Sequence, residues 1–157
     1  MADAKFEDGG DAPLRLTAQD PEGLAVMSAL LQDAVFPITE MTYDSKRRRF
    51  ALLVNRFRWE DRDAAERGQR PYERVQSLLV LEDAQSVQTQ GIDRNDRDTV
   101  LSLLSLAFTP GPDGTGRVEF ILAGDGAIAL QVETLDATLQ DVSRPYRAPS
   151  RQVPKHD

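Results

Sequence analysis

The chain contains no cysteine, which excludes disulfides, thiolate zinc sites and cysteine nucleophiles together. Its single histidine, His156, stands one residue from the C-terminus. With none in the body, a Ser-His-Asp triad or a histidine metal cage has no place to form. No run approaches the roughly 18 apolar residues of a helical membrane span. The opening Met-Ala-Asp-Ala-Lys-Phe-Glu-Asp is acidic and lacks an apolar core, so it does not read as a secretory signal, and a cytoplasmic location is the default expectation. No glycine spacing matches a phosphate-cradling loop that leads into a helix.

What remains is an ordinary globular composition: 157 residues, 40% hydrophobic and 29% charged, enough for one domain with a real core. The net charge of −7 is unevenly spread. Residues 46–74 hold ten basic and five acidic side chains, +5, against nine basic and twenty-one acidic elsewhere, −12. Such a split marks either an anionic partner or two faces that attract each other in a homo-oligomer.

The clearest architecture lies in residues 117–142. Val118, Phe120 and Leu122, then Ile128, Leu130 and Val132, alternate at the period of a half-buried strand, with Gly124-Asp125-Gly126 as the hairpin turn. The apolar phase then skips to Leu135, Ala137 and Leu139, which places a break near Glu133-Thr134. Before this, Leu14 to Leu16 suggests a short strand, and Asp20-Pro21-Glu22 a capped helix start followed by Leu24, Met27 and Leu31 at helical spacing. Residues 38–43, 50–59, 75–81 and 84–92 read as strands. Residues 99–108 fit strand or helix. Residues 60–73 carry almost no apolar surface and are expected to be a mobile loop. Residues 1–13 are expected to be a flexible lead-in, 14–142 a single globular domain, and 143–157 a flexible or wrapping tail.

An internal repeat is suggested by Leu81-Glu82-Asp83-Ala84 beside Val132-Glu133-Thr134-Leu135, and by residues 87–92 beside 137–142. Each half, 38–92 and 101–142, is then expected to be a four-stranded antiparallel meander. A lone meander must cover its apolar face, so the two are expected to share one core. The predicted fold is mainly β, by strict count α+β: two related meanders joined as a barrel or sandwich, with one short N-terminal helix.

The runs Asp-Ser-Lys-Arg-Arg-Arg-Phe-Ala-Leu-Leu-Val-Asn-Arg-Phe-Arg-Trp-Glu (44–60) and Gly-Ala-Ile-Ala-Leu-Gln-Val-Glu (126–133) resemble an uncharacterised bacterial domain-of-unknown-function family, number twenty-nine forty-eight in that series. The resemblance runs from about Leu14 to Val142. It implies a cytoplasmic single-domain protein and brings no activity and no functional residue.

Candidate chemistry centres on Lys46, Arg47, Arg49, Arg56 and Arg58, which would form a basic surface if the second strand is wet on one side; guanidinium groups there suit phosphate or carboxylate. The aromatics Phe57 and Trp59 alternate with Arg56 and Arg58 as in single-strand nucleic-acid binders, but fall on the opposite face, and the overall charge is acidic, so nucleic acid is disfavoured. Asp93, Asp96 and Asp98 form a carboxylate-rich loop without the glycine turn and distal glutamate of a calcium site. Glu82 and Glu133, at matched places in the repeat, fit an acid/base pair only if both point inward. No cofactor and no metal is implied. The expected function is a small non-enzymatic binding or adaptor module that meets an unknown protein or anionic ligand through residues 46–74. The alternatives are an enzyme using carboxylates and arginines on an anionic substrate, and a nucleic-acid-binding module.

Overall fold

The computed structural model describes residues 12–149 and 152–154. Most of the expected lead-in and His156 lie outside the described residues. Among the described residues, eleven strands make up the body: β1 (Arg15–Ala18), β2 (Val35–Pro37), β3 (Met41–Asp44), β4 (Arg49–Phe57), β5 (Glu73–Leu81), β6 (Ala84–Gln90), β7 (Val100–Pro110), β8 (Gly116–Leu122), β9 (Ala127–Val132), β10 (Ala137–Asp141) and β11 (Tyr146–Arg147). The helices are α1 (Pro21–Leu30) and α2 (Arg62–Arg67). No helix among the described residues is long and apolar enough to cross a membrane.

α1 begins as its sequence dictates. Asp20 is extended at the N-cap and its Oδ1 accepts the Gly23 amide at 2.7 Å, with Pro21 in the first turn. Leu24, Met27 and Leu31 are buried. The helix packs against β7 and β1, and its Ser28 hydroxyl accepts the Leu106 amide at 2.9 Å. The β8–β9 hairpin turns through left-handed Gly124 and Asp125, φ 79° and 70°.

All the pairings are antiparallel, and the strand path runs β1-β10-β5-β4-β2-β7-β8-β9-β6, with β3 also on β4 and β11 on β5. The path does not close into a barrel, the first of the two expected forms. One core receives both halves: the rings of Phe50 on β4 and Phe120 on β8 meet edge to face at 5.4 Å.

Each half contributes a three-stranded meander, β3-β4-β5 and β7-β8-β9, and sends its fourth strand to the other. β6 pairs with β9, and β10 with β5. The expected self-contained four-stranded meanders are thus exchanged at their ends. In these pairings Val87 faces Leu130 and Leu139 faces Leu79.

Three further segments take definite form. Residues 60–73 are not a plain loop: a 3-10 turn, Trp59–Asp61, leads into α2, with Asp61 and Ala65 buried. The ambiguous 99–108 segment is strand, because its ladder with β8 and β2 satisfies its backbone, with a register shift between Leu103 and Ser105 absorbing the helix-like phase. Within the expected tail, Tyr146 and Arg147 pair with Arg74 and Glu73, and the buried Ala148 donates its amide to Tyr72 O at 2.8 Å.

Candidate functional site

The basic segment is largely spent inside the molecule. On β4 the alternation Phe50, Leu52, Val54, Arg56 continues inward, so Arg56 ends a core row; it is 0% exposed. Its Nη1 and Nη2 form a fork with Glu60 at 2.9 and 2.8 Å, Nη2 also reaches Asp141 Oδ1 at 2.9 Å, and Nε donates to the Ser77 hydroxyl at 2.9 Å. Burial works against this cation, yet the bonds to Glu60 and Asp141 outweigh it and hold the Arg56 pKa above its ordinary value. Asp141 is saturated in turn, accepting also from Ser77 Oγ at 2.7 Å and from the Leu14 amide at 2.9 Å.

Arg58 is likewise buried. It bonds Glu73 and lies 3.7 Å from Asp61, whose two oxygens take a fork from Arg70 at 2.6 Å each. Arg56 and Arg58 are therefore not on a wet face. Alternation along the sequence puts both in one row with Phe50, but it does not show the carboxylates that residues 60, 61, 73 and 141 bring to them. A buried cation survives only when paired in this way.

At the β3–β4 turn, Arg49 bonds Glu82 at 2.9 Å and Arg48 bonds Glu133 at 2.7 Å. The hydrogen bond that Arg49 donates to Glu82, then the charge of that carboxylate, raises the Arg49 pKa. The two glutamates at matched positions thus serve neighbouring arginines and do not face each other as an acid/base pair. Lys46 and Arg47 are exposed, Arg47 lying 3.8 Å from Asp44. Phe57 packs edge-on against Trp59 at 4.7 Å and Tyr72 at 5.5 Å, and the Trp59 indole donates to Gln32 O at 3.0 Å, so the rings form a packed cluster and present no stacking platform. Asp93 and Asp96 each use Oδ1 to accept an amide two residues on, from Asn95 at 3.0 Å and Asp98 at 3.2 Å. Among the described residues no group of three or more carboxylates is placed to hold a metal.

One arginine of the segment differs from the rest. Arg74, on β5, is half-buried; its Nε donates to Asn55 Oδ1 and its Nη2 to Asn55 O at 3.0 Å, while Asn55 Nδ2 bonds the Tyr146 hydroxyl. Among the described residues no carboxylate forms an ion pair with it, and burial pushes its pKa down against weaker attraction from Tyr146 and from Asp33, which lines the same groove. It lines a groove of about 490 Å³ whose walls include Val35, Phe57, Ala148 and Pro149. A second cleft of about 610 Å³, with Tyr72, Arg70 and Arg147, shares Ala148 and Pro149 with it. Sequence reasoning missed Arg74 as a site because nothing local distinguishes it from its basic neighbours.

The model of a family described as Protein of unknown function (DUF2948) matches residues 14–156. The chain belongs to that family. No curated protein and no solved structure matches it. For this DUF2948 protein, then, the geometry of its own side chains is what bears on function. Within residues 46–74 that geometry separates Arg56 and Arg58, buried in ion pairs, and Arg48 and Arg49, bound beside the β3–β4 turn, from Arg74 in its groove.

Proposed function

We propose that the protein is a binding module that seats a carboxylate- or phosphate-bearing group on Arg74. The observation that carries this is a half-buried guanidinium, held by neutral partners on Nε and Nη2, beside a groove with apolar walls. Asn55 fixes the planar fork, which is then preorganised for an anion, while Val35 and Phe57 supply contact area for an apolar portion of the ligand. Partial burial strengthens the attraction, because less water competes for the charge. This moves the expected basic recognition surface within residues 46–74 from Arg49, Arg56 and Arg58 to Arg74.

The test is titration with inorganic phosphate and with succinate, followed by amide chemical shifts and calorimetry on the full chain. Shifts should cluster at Asn55, Arg74 and Ala148. Arg74→Met should remove a charge-assisted interaction of about 1.5–3 kcal/mol, a loss of roughly 10- to 150-fold in affinity. Arg74→Lys should retain only part of the binding, because a lysine has no planar fork. Equal binding by Arg74→Met with an unchanged melting temperature, or shifts centred elsewhere, would overturn the proposal.

A further inference from the structure

The exchanged strands leave two outer edges to compare, that of β10 and that of β6, which lies beside β3. They are finished differently. Along the first, β1 adds antiparallel to the outer edge of β10, pairing Arg15–Ala18 with Ala137–Gln140, and α1 packs across both β1 and β7. Along the second, β3 and β6 are joined only at one end, where the Tyr43 hydroxyl donates to Ala84 O at 2.7 Å and the Ala84 amide to Arg48 O at 2.8 Å. Among the described residues no strand pairs with the outer edge of β6.

Between β3 and β6 lies a groove of about 510 Å³ lined by Met41, Tyr43, Phe50, Ser86, Val87 and Arg94, among others. Met41, Tyr43 and Val87 are only partly buried although they pack on the core, as side chains are when a covering element is missing. β6, Ala-Gln-Ser-Val-Gln-Thr-Gln, has no charge and no proline, the usual protections of an exposed edge. A register shift follows Ala84, and from Ser86 to Gln90 the strand is regular. Arg94 lines this groove, and with Arg97 also an adjoining cavity of about 260 Å³ beside Ile38 and Met41. Both arginines are exposed, and neither forms an ion pair among the described residues.

We infer that the β6 edge is a docking site for an extended acidic segment of another protein, which adds to β6 as β1 adds to β10 and sets its carboxylates against Arg94 and Arg97. Backbone hydrogen bonds supply the affinity, alternate apolar side chains enter beside Met41 and Val87, and the charges fix direction. A second copy of this chain fits less well: its β6, Ala84–Gln90, carries no acid within the pairing strand itself to set against Arg94 and Arg97.

The test uses a synthetic ten-residue peptide of alternating valine and threonine with two glutamates at one end, and the full-length protein. Amide shifts and slowed hydrogen exchange should appear in residues 41–44 and 85–90. Methylating the peptide backbone nitrogens of one parity should abolish binding, and of the other parity leave it intact. Arg94→Glu/Arg97→Glu, checked for an unchanged melting temperature, should weaken binding at least about threefold, as expected for two exposed ion pairs. A lysine-ended peptide should bind more weakly than the glutamate-ended one. Equal binding by both peptides, insensitivity to methylation, shifts confined to the Arg74 groove, or protection of β6 by self-association without peptide would each overturn the inference. The Arg74→Met variant should bind the peptide normally, which separates this site from the anion groove.

Discussion

Truncating Asp141 should destabilise the protein more than removing any exposed charge. Its carboxylate accepts from Arg56 Nη2 at 2.9 and 3.2 Å, from Ser77 Oγ at 2.7 Å and from the Leu14 amide at 2.9 Å, and its side chain is 3% exposed. Asp141→Ala leaves the buried guanidinium with Glu60 as its remaining carboxylate and strips an acceptor from the Ser77 hydroxyl and the Leu14 amide. Breaking a buried pair from one side costs about 3–5 kcal/mol. At about 2–4 °C per kcal/mol for a chain of this length, the midpoint of thermal unfolding should fall by roughly 6–20 °C. Circular dichroism on wild type, Asp141→Ala and Arg56→Met/Asp141→Leu reads this directly. The double variant buries neither charge and should recover more than half of the loss. Arg49→Ala, at the exposed Arg49–Glu82 pair, should leave the midpoint where it is. A fall under about 3 °C for Asp141→Ala, or a double variant no better than the single, would refute the view that this network is a structural tie.

Two other outcomes follow from particular contacts. Gly116 opens β8 beneath the Phe108 ring, and a Cβ there would collide with that ring and lie 2.9 Å from Thr109 O, so Gly116→Ala should cost about 1–3 kcal/mol in urea unfolding and be partly rescued by Phe108→Ala. The Tyr72 hydroxyl donates to Glu66 Oε2 at 2.6 Å; this bond raises the Tyr72 pKa and, together with Arg62, lowers that of Glu66. Because the folded-state pKa of Glu66 is depressed, what the bond adds to stability is present above the unfolded carboxyl value and is lost as pH falls through the folded one. In an alkaline titration followed by near-ultraviolet absorbance, Tyr72 should ionise above the ordinary tyrosine range, and Glu66→Gln should bring it back down.

The elements readable in the sequence were those whose cause is local. Asp20 and Pro21 mark the start of α1, Gly124-Asp125-Gly126 the hairpin, and the alternation Val118, Phe120, Leu122 the buried face of β8; each is where the residues say. What escaped depends on residues distant in the chain. α2 has one buried residue, Ala65, so no apolar period announces it, and its place is set by Asp61 receiving Arg70 and Arg58. Arg56 lay in plain view in the same row as Phe50, Leu52 and Val54. The signal was a charge where the alternation demands a core residue, which calls for carboxylates nearby and not for solvent. Strand partners were not legible either, since periodicity shows which face is buried and is silent on which neighbour a strand chooses.

The exchange of β6 and β10 has a bearing on how the chain folds. Neither stretch of sequence finishes its own layer, so each half lacks a complete layer for the other to build upon. Assembly waits on contacts far apart along the polypeptide, which slows it and makes it a single event. A proteolytic nick between Gly91 and Thr99 would consequently leave two fragments that stay clasped until the whole body melts.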